Sequence, residues 1–267
     1  MTTTVKQKRW QVGLWAIFLV VVGFAGSAMA TSLVVVSAKK VVGYRAGDVI
    51  DTATVISLSA QAELTLLTVK GEKISVAGPL NGSLNDRLRE KMPELLAALP
   101  EQDHGLLASL SGILKKHRRS NMRLRGGGKK PEPKDPWQIS MFEGGDQCVA
   151  QDERPELWRP HANDPEQVVI KAENLKDQTL VEFASGNETH PWPIDLSLVD
   201  KETYLVTDGG QQKERSLVLH VIPSDLPTRA HVAAALSDNN CSRQAAQLLI
   251  HAEIDKFIGK LITDDQF

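Results

Sequence analysis

The chain has 267 residues, of which 42% are hydrophobic and 24% charged, and its net charge is -2. These proportions exclude disorder along the whole length, and near-neutrality excludes a polyanionic or polycationic partner for the chain as a whole. At roughly 100–200 residues per domain the length suggests two domains. The charge is uneven: residues 115–134 hold nine Lys/Arg and one acid, Glu132, so this stretch carries +8 and the remainder -10.

The first 30 residues read as an export signal. Lys6, Lys8 and Arg9 precede an uncharged apolar stretch from Trp10 to Phe24, and small residues follow through Ala30. Ala28 and Ala30 fit the small-x-small pattern that a signal peptidase pocket admits. The alternative is an uncleaved anchor: no charge occurs from Gln11 to Ala38, and a span needs about 20 mostly apolar residues. Either reading places the body outside the cytoplasm, in the periplasm. Two cysteines occur, Cys148 and Cys241. In an exported chain an isolated pair reads as one disulfide, and two buried free thiols are the alternative.

A small β domain is expected over 40–82. Ile56, Leu58 and Ala60 alternate with Ser57 and Ser59, the period of a half-buried strand. Residues 63–69 and 73–77 flank Lys70-Gly71-Glu72 as a hairpin. Helix follows, capped by Ser83 or Asn85 and carrying Leu88, Met92, Leu95, Leu96 and Leu99, with a break at Pro93. A second helix over 104–117 shows Leu106, Leu107, Leu110, Ile113 and Leu114 on one face. It ends in Lys115, Lys116, Arg118 and Arg119, which suit the negative end of a helix dipole. Residues 125–136 read as a linker, flexible where glycine-rich and stiff where proline-rich. The whole of 83–136 is therefore expected to be a helical, basic connector.

After it, short apolar runs recur at 137–142, 147–150, 156–159, 167–172, 179–183, 203–207 and 216–222, separated by turn residues such as Gly144-Gly145-Asp146 and Asp208-Gly209-Gly210. Seven short strands with regular turns predict a β-sandwich over 137–223. The run 217–222, apolar on both faces, is expected to be a central strand. Two helices close the chain over 224–263, one capped by Asp225 and one by Ser242. The second carries Ile250, Ile254, Phe257, Ile258 and Leu261. The pair is expected to cover one side of the sandwich, with Cys241 between the helices pinned to the strand that bears Cys148.

No motif rises to a reaction mechanism. The seven histidines, at 104, 117, 161, 190, 220, 231 and 251, make no His-x-x-x-His spacing, so neither metal site nor cofactor is expected. Gly-x-Ser-x-Gly is absent, and paired cysteines leave no thiolate, so no catalytic residue is assigned. Gly126-Gly127-Gly128-Lys129-Lys130 lacks the Ser/Thr and the preceding strand of a phosphate loop. The basic stretch could meet anionic lipid head groups, and the blander reading is a solvated connector. Trp137, Trp158 and Trp192 suit a sandwich core. Trp192, held between Pro191 and Pro193, is also the candidate interaction residue, because a rigid loop tryptophan makes a good contact anchor.

Residues 43–80 resemble the small β domain of FecR-type periplasmic proteins, the sensor partners of iron-citrate regulation. The likeness rests on Gly47-Asp48-Val49-Ile50, Leu64-Thr65-Leu66-Leu67, the turn at Gly71 and the closing Gly78-Pro79. This chain has Gly71-Glu72 where that family often has Asp-Gly. The second half is similar to the C-terminal part of exported alphaproteobacterial proteins, through Asp135-Pro136-Trp137, Cys148-Val149, Leu157-Trp158-Arg159, Trp192-Pro193, Leu226-Pro227-Thr228 and Cys241 before Gln244-Ala245-Ala246-Gln247-Leu248-Leu249. That resemblance implies a periplasmic location and a Cys148–Cys241 pair.

The expected fold is thus mainly β: a FecR-like domain, a helical basic linker, and an Ig-like sandwich with two C-terminal helices. An immunoglobulin-type disulfide is not expected, since Cys241 falls among helices. The expected function is a non-catalytic sensing, scaffolding or protein-interaction module of the cell envelope. Its partner would be another envelope protein, with no nucleic acid, and with peripheral or N-terminal membrane association left open. The alternative is an envelope hydrolase or carbohydrate-binding enzyme with an acidic site, marked by two carboxylates facing one cleft.

Overall fold

The computed structural model describes residues 31–94, 103–123, 131–175, 177–208 and 214–251. The export segment, Leu95, Leu96 and Leu99, the glycine-rich part of the linker and the expected helix beyond His251 lie outside them. Strand outweighs helix, and four helices lie among the described residues, two of them after the last strand.

The first sheet has the order β2 (Val49–Asp51), β1 (Ser32–Lys39), β4 (Glu63–Leu67), β5 (Lys73–Ala77), all neighbours antiparallel. β1 was not expected. Its sequence, uncharged up to Ala38, continues the N-terminal apolar run without a break, so pattern alone merges the two. Leu33 and Val35 enter a core with Ile50, Leu64, Leu66 and Ile74, whereas Val34 and Val36 enter a second core shared with helices. Side chains alternate across a strand, so one covered on both faces must be apolar at every position. Residues 32–39 are therefore committed to the sheet.

The β4–β5 hairpin forms where expected. Thr68 Oγ1 closes its turn by accepting from the backbone N–H of Lys70 (3.2 Å) and of Glu72 (3.1 Å). Gly71 has φ +83°, and a Cβ there would lie 2.9 Å from the backbone nitrogen of Ala230, so this turn needs glycine on both counts. β3 (Val55–Leu58) and β6 (Leu80–Ser83) form a separate antiparallel ribbon that leads into α1 (Leu84–Lys91). Of the two expected caps Ser83 serves, its Oγ accepting from Asp86 N at 3.1 Å, and α1 stops at Met92, ahead of Pro93.

α2 (His104–Arg123) lies in the stretch expected to be a connector, yet it supplies core. Leu106, Leu107, Leu110, Ile113 and Leu114 pack between Val34, Val36 and Leu67 of the first sheet and the two last helices. Those are α3 (Arg229–Asp238) and α4 (Ser242–His251). α3 is capped by Thr228, not by Asp225. The reason is local: Leu226 precedes Pro227, and a residue before proline is pushed out of the helical region. No helix among the described residues is long and apolar enough to cross a membrane.

All seven apolar runs of the second half contain strands. Five form one sheet, in the order β11 (Gln178–Phe183), β10 (Glu166–Ala172), β13 (Thr203–Asp208), β14 (Glu214–Ile222), β8 (Gly145–Ala150). Pairing is antiparallel except for β14 with β8, which is parallel. β7 (Ile139–Ser140), β9 (Glu156–Trp158) and β12 (Thr189–Pro191) form a three-stranded sheet in the order β12-β9-β7. β12 is a short strand that its three residues do not announce. The two sheets share one core, with Ile139, Met141 and Leu157 against Val168, Ile170, Val181, Tyr204 and Leu219. β14 is interior, as its doubly apolar sequence implied. Leu217 and Leu219 face the core between the sheets, and Ile222 faces the helices together with Cys148.

Candidate functional site

Cys148 and Cys241 are disulfide-bonded, with Cα atoms 6.0 Å apart across a separation of 93 residues. Closing a loop of that size is worth about 4–5 kcal/mol in the chain-entropy model. The bond joins the edge strand β8 to the connection between α3 and α4, as the sequence led one to expect, and both cysteines are buried. Neither thiol is available as a nucleophile.

Glutamines complete the clasp, and the sequence reading assigned them no role. As an edge strand, β8 has backbone groups on its outer side with no strand partner. Gln244 of α4 supplies one: its Oε1 accepts from Cys148 N (2.8 Å) and its Nε2 donates to Cys148 O (2.7 Å) and Pro136 O (2.6 Å). Gln147 does the same for β7, meeting Ser140 N at 2.7 Å and Ser140 O at 2.8 Å. Gln247 Nε2 donates to Pro133 O at 2.9 Å. A primary amide carries a donor and an acceptor side by side, so it can imitate a peptide group. The only signal in the sequence was that Gln244 and Gln247 stand among small apolar residues, on what becomes the buried face of a helix.

Beside the clasp lies a polar cleft of about 200 Å³, walled by Lys116 of α2, Glu143 and Asp146 at the start of β8, and Asn240, Ser242 and Arg243 at the start of α4. Lys116 Nζ donates to Ser242 Oγ at 2.7 Å, and Arg243 Nε pairs with Glu143 at 3.0 Å. Asp146 Oδ1 lies 2.7 Å from His220 Nε2. Burial pulls the Arg243 guanidinium below its ordinary pKa, against the carboxylates of Glu143 and Glu132, which hold it up. Two carboxylates thus line one cleft, the feature named for the hydrolase alternative. Glu143 engages the guanidinium of Arg243, and Asp146 the imidazole of His220.

Of the two readings of Trp192, the side chain takes the sandwich core and not an exposed loop position. It is only 3% exposed, donates from Nε1 to Leu196 O at 2.8 Å, and meets Tyr204 edge-on at 5.2 Å. The flanking prolines orient it inward, where its large apolar surface is worth most. It is therefore an anchor of its loop and not a contact residue. What the loop exposes is Ile194, at 87%. Thr179 Oγ1 of β11 and Asp195 Oδ2 lie 3.1 Å apart, which ties this loop to the edge strand carrying Leu180, 53% exposed.

Arg159, also unforeseen, is 1% exposed and organises the loops at the other end of β11. It donates to the carbonyl oxygens of Asp164 (2.7 Å), Ala184 (2.9 Å) and Asn187 (2.9 Å), pairs with Glu166 at 3.3 Å, and lies over the Phe183 ring. A buried guanidinium with this many acceptors is a structural hub. Among the described residues, no three His, Cys, Asp or Glu gather in a way that could hold a metal ion. Family models, curated proteins and solved structures offer no match to this chain.

Proposed function

We propose that the chain is a non-catalytic sensing, scaffolding or protein-interaction module of the cell envelope, exported to the periplasm. In this reading a FecR-like β unit (43–80) and an Ig-like sandwich (137–223) are held as one body by the helices between them, and the partner is another envelope protein. The observation that carries the reading is the β11 edge. An unpaired strand edge offers backbone groups to a partner strand, and exposed apolar side chains beside it, Leu180 and Ile194, offer pockets their anchors. The buried Trp192 and Tyr204 keep Ile194 in place before binding, which lowers the ordering cost of a contact. The disulfide agrees with an oxidising compartment.

The test is affinity capture from envelope extract, with wild type and Leu180→Asp/Ile194→Asp run in parallel and the captured protein identified and re-bound in purified form. The reading expects one partner that the double variant loses by about tenfold or more. No specific partner, or equal capture by both proteins, would sink it. A mature N-terminus beginning at Thr31 would establish cleavage of the export segment.

The hydrolase alternative keeps one observation in its favour, Glu143 and Asp146 in a single cleft. It expects turnover of a glycoside or ester that Glu143→Gln abolishes while leaving the melting temperature in place.

A further inference from the structure

The end of the first sheet where β1 leaves Lys39 carries a second surface, independent of the β11 edge. The loop 40–47 turns back through Lys40 (φ 52°) and Gly43 (φ 92°). Val41 and Tyr44 pack down onto the first-sheet core, which leaves Val42 pointing away at 95% exposure. The base of the loop is fastened to α2: Ser111 Oγ donates to Gly47 O at 2.6 Å, and Arg118 Nη1 to Ala46 O at 3.2 Å. Gly47 sits so close to α2 that a Cβ would lie 2.9 Å from Ser111 O.

A lone exposed valine is ordinary. What gives this one meaning is its surroundings. Lys39, Lys40 and Arg45 flank it in sequence, and the fastening sets Lys115 and Arg118 of α2 beside them, with Arg119 one helical turn on from Lys115. The acids nearby are Asp48 at the base of the loop, whose carboxylate accepts from Arg45 N, and Glu63 of β4, paired with Lys39 at 2.8 Å. Basic side chains therefore outnumber acidic ones by about three to one around an apolar tip, a combination that suits a membrane interface bearing anionic head groups. A nucleic-acid strand would want aromatic side chains for stacking, and among these residues only the half-buried Tyr44 is aromatic.

We infer that the 39–45 loop and residues 115–119 of α2 form a docking surface for an anionic phospholipid bilayer, with Val42 entering the head-group region and the lysines and arginines meeting lipid phosphates.

The test uses the full chain and vesicles of phosphatidylglycerol and phosphatidylcholine in a ratio of about 3:7, against pure phosphatidylcholine. The N-terminal segment carries Lys6, Lys8 and Arg9 and itself favours the anionic vesicles, so the quantity that decides is the change in the ratio between wild type and variants. The expected result is about tenfold stronger co-sedimentation with the anionic vesicles near 50 mM salt, mostly lost near 300 mM as the charges are screened. Lys40→Glu/Arg119→Glu, both at exposed positions, should reduce the ratio about fivefold or more, and Val42→Asp about threefold, with melting temperatures unchanged. A ratio near one, or a ratio that neither variant changes, overturns the inference. So does salt-sensitive retention on a single-stranded oligonucleotide without vesicle binding. Loss of the protein partner in Leu180→Asp/Ile194→Asp, with the vesicle ratio intact, would separate this surface from the β11 edge.

Discussion

The first sheet and the five-stranded sheet both give residues to the core formed by α2, α3 and α4, yet they are attached to it differently. The first sheet is held by side-chain packing of Val34, Val36 and Leu67, with Lys73 Nζ donating to Ile250 O and Ser111 to Gly47 as its polar ties. The second is bonded covalently through Cys148–Cys241 and stitched by Gln244 along the β8 edge. Each sheet has a strand buried on both faces, β1 in one and β14 in the other, because each gives one face to its own core and the other to the helices. The lesson is that a shared core can be assembled from two units while only one of them is locked in place. The unlocked unit is then expected to open first, since opening it breaks only packing and a few polar contacts.

The largest effect should come from removing the lock. Cys148→Ala/Cys241→Ala is expected to lose about 4 kcal/mol of stability in chemical unfolding, close to the chain-entropy figure. Amide exchange would then show α3 and α4 opening as readily from the second sheet as the first sheet opens from them. A loss below about 1 kcal/mol would mean that glutamine stitching and packing hold the second sheet unaided.

Leu110→Ala should come next, at about 3 kcal/mol, because Leu110 is fully buried where both units converge. Amide protection should fall in β1 and β4 and leave β10 and β13 nearly unchanged. Equal loss in both sheets would show that the two units unfold as one cooperative block.

Alkaline pH is the mildest probe, and it acts with opposite sign on the two regions. Burial is the main reason that the Tyr204 phenol is held above its ordinary 10.0, with the backbone of Val199 opposing. The native sheet then keeps a proton that the unfolded chain has released, so this contribution is whole below that pH and is lost as pH rises through the folded value. Lys73 is the reverse case: burial first, and then Arg229, hold its ammonium below its ordinary 10.5. The native chain releases that proton first, so the joint at Lys73 gains stability as pH climbs towards the ordinary lysine value. Thermal melts between about pH 9 and 11 should show the second sheet weakening relative to the first, and Tyr204→Phe should remove part of that slope. Identical slopes for wild type and variant would exclude Tyr204 as a contributor.

Much of this protein was determined by its sequence alone. The strands of the second half follow from runs such as Val168-Val169-Ile170, where the side-chain period matches a pleated sheet with one dry face. The β4–β5 turn follows from Gly71, the start of α1 from Ser83, and the cysteine partnership from there being two cysteines and a signal-like N-terminus. These are local properties, carried by neighbours in the chain. Tertiary structure alone decided the rest. β1 could not be told from an export segment, because uncharged apolar sequence looks the same whether lipid or two protein cores cover it. Trp192 could point inward or outward until Tyr204 and Leu196 were brought beside it. Gln244 means nothing until its amide lies against the unpaired edge at Cys148, and Val42 means little until α2 brings its lysines and arginines alongside. Each of these depends on groups far apart in the chain, and only the closed fold sets the distance between them.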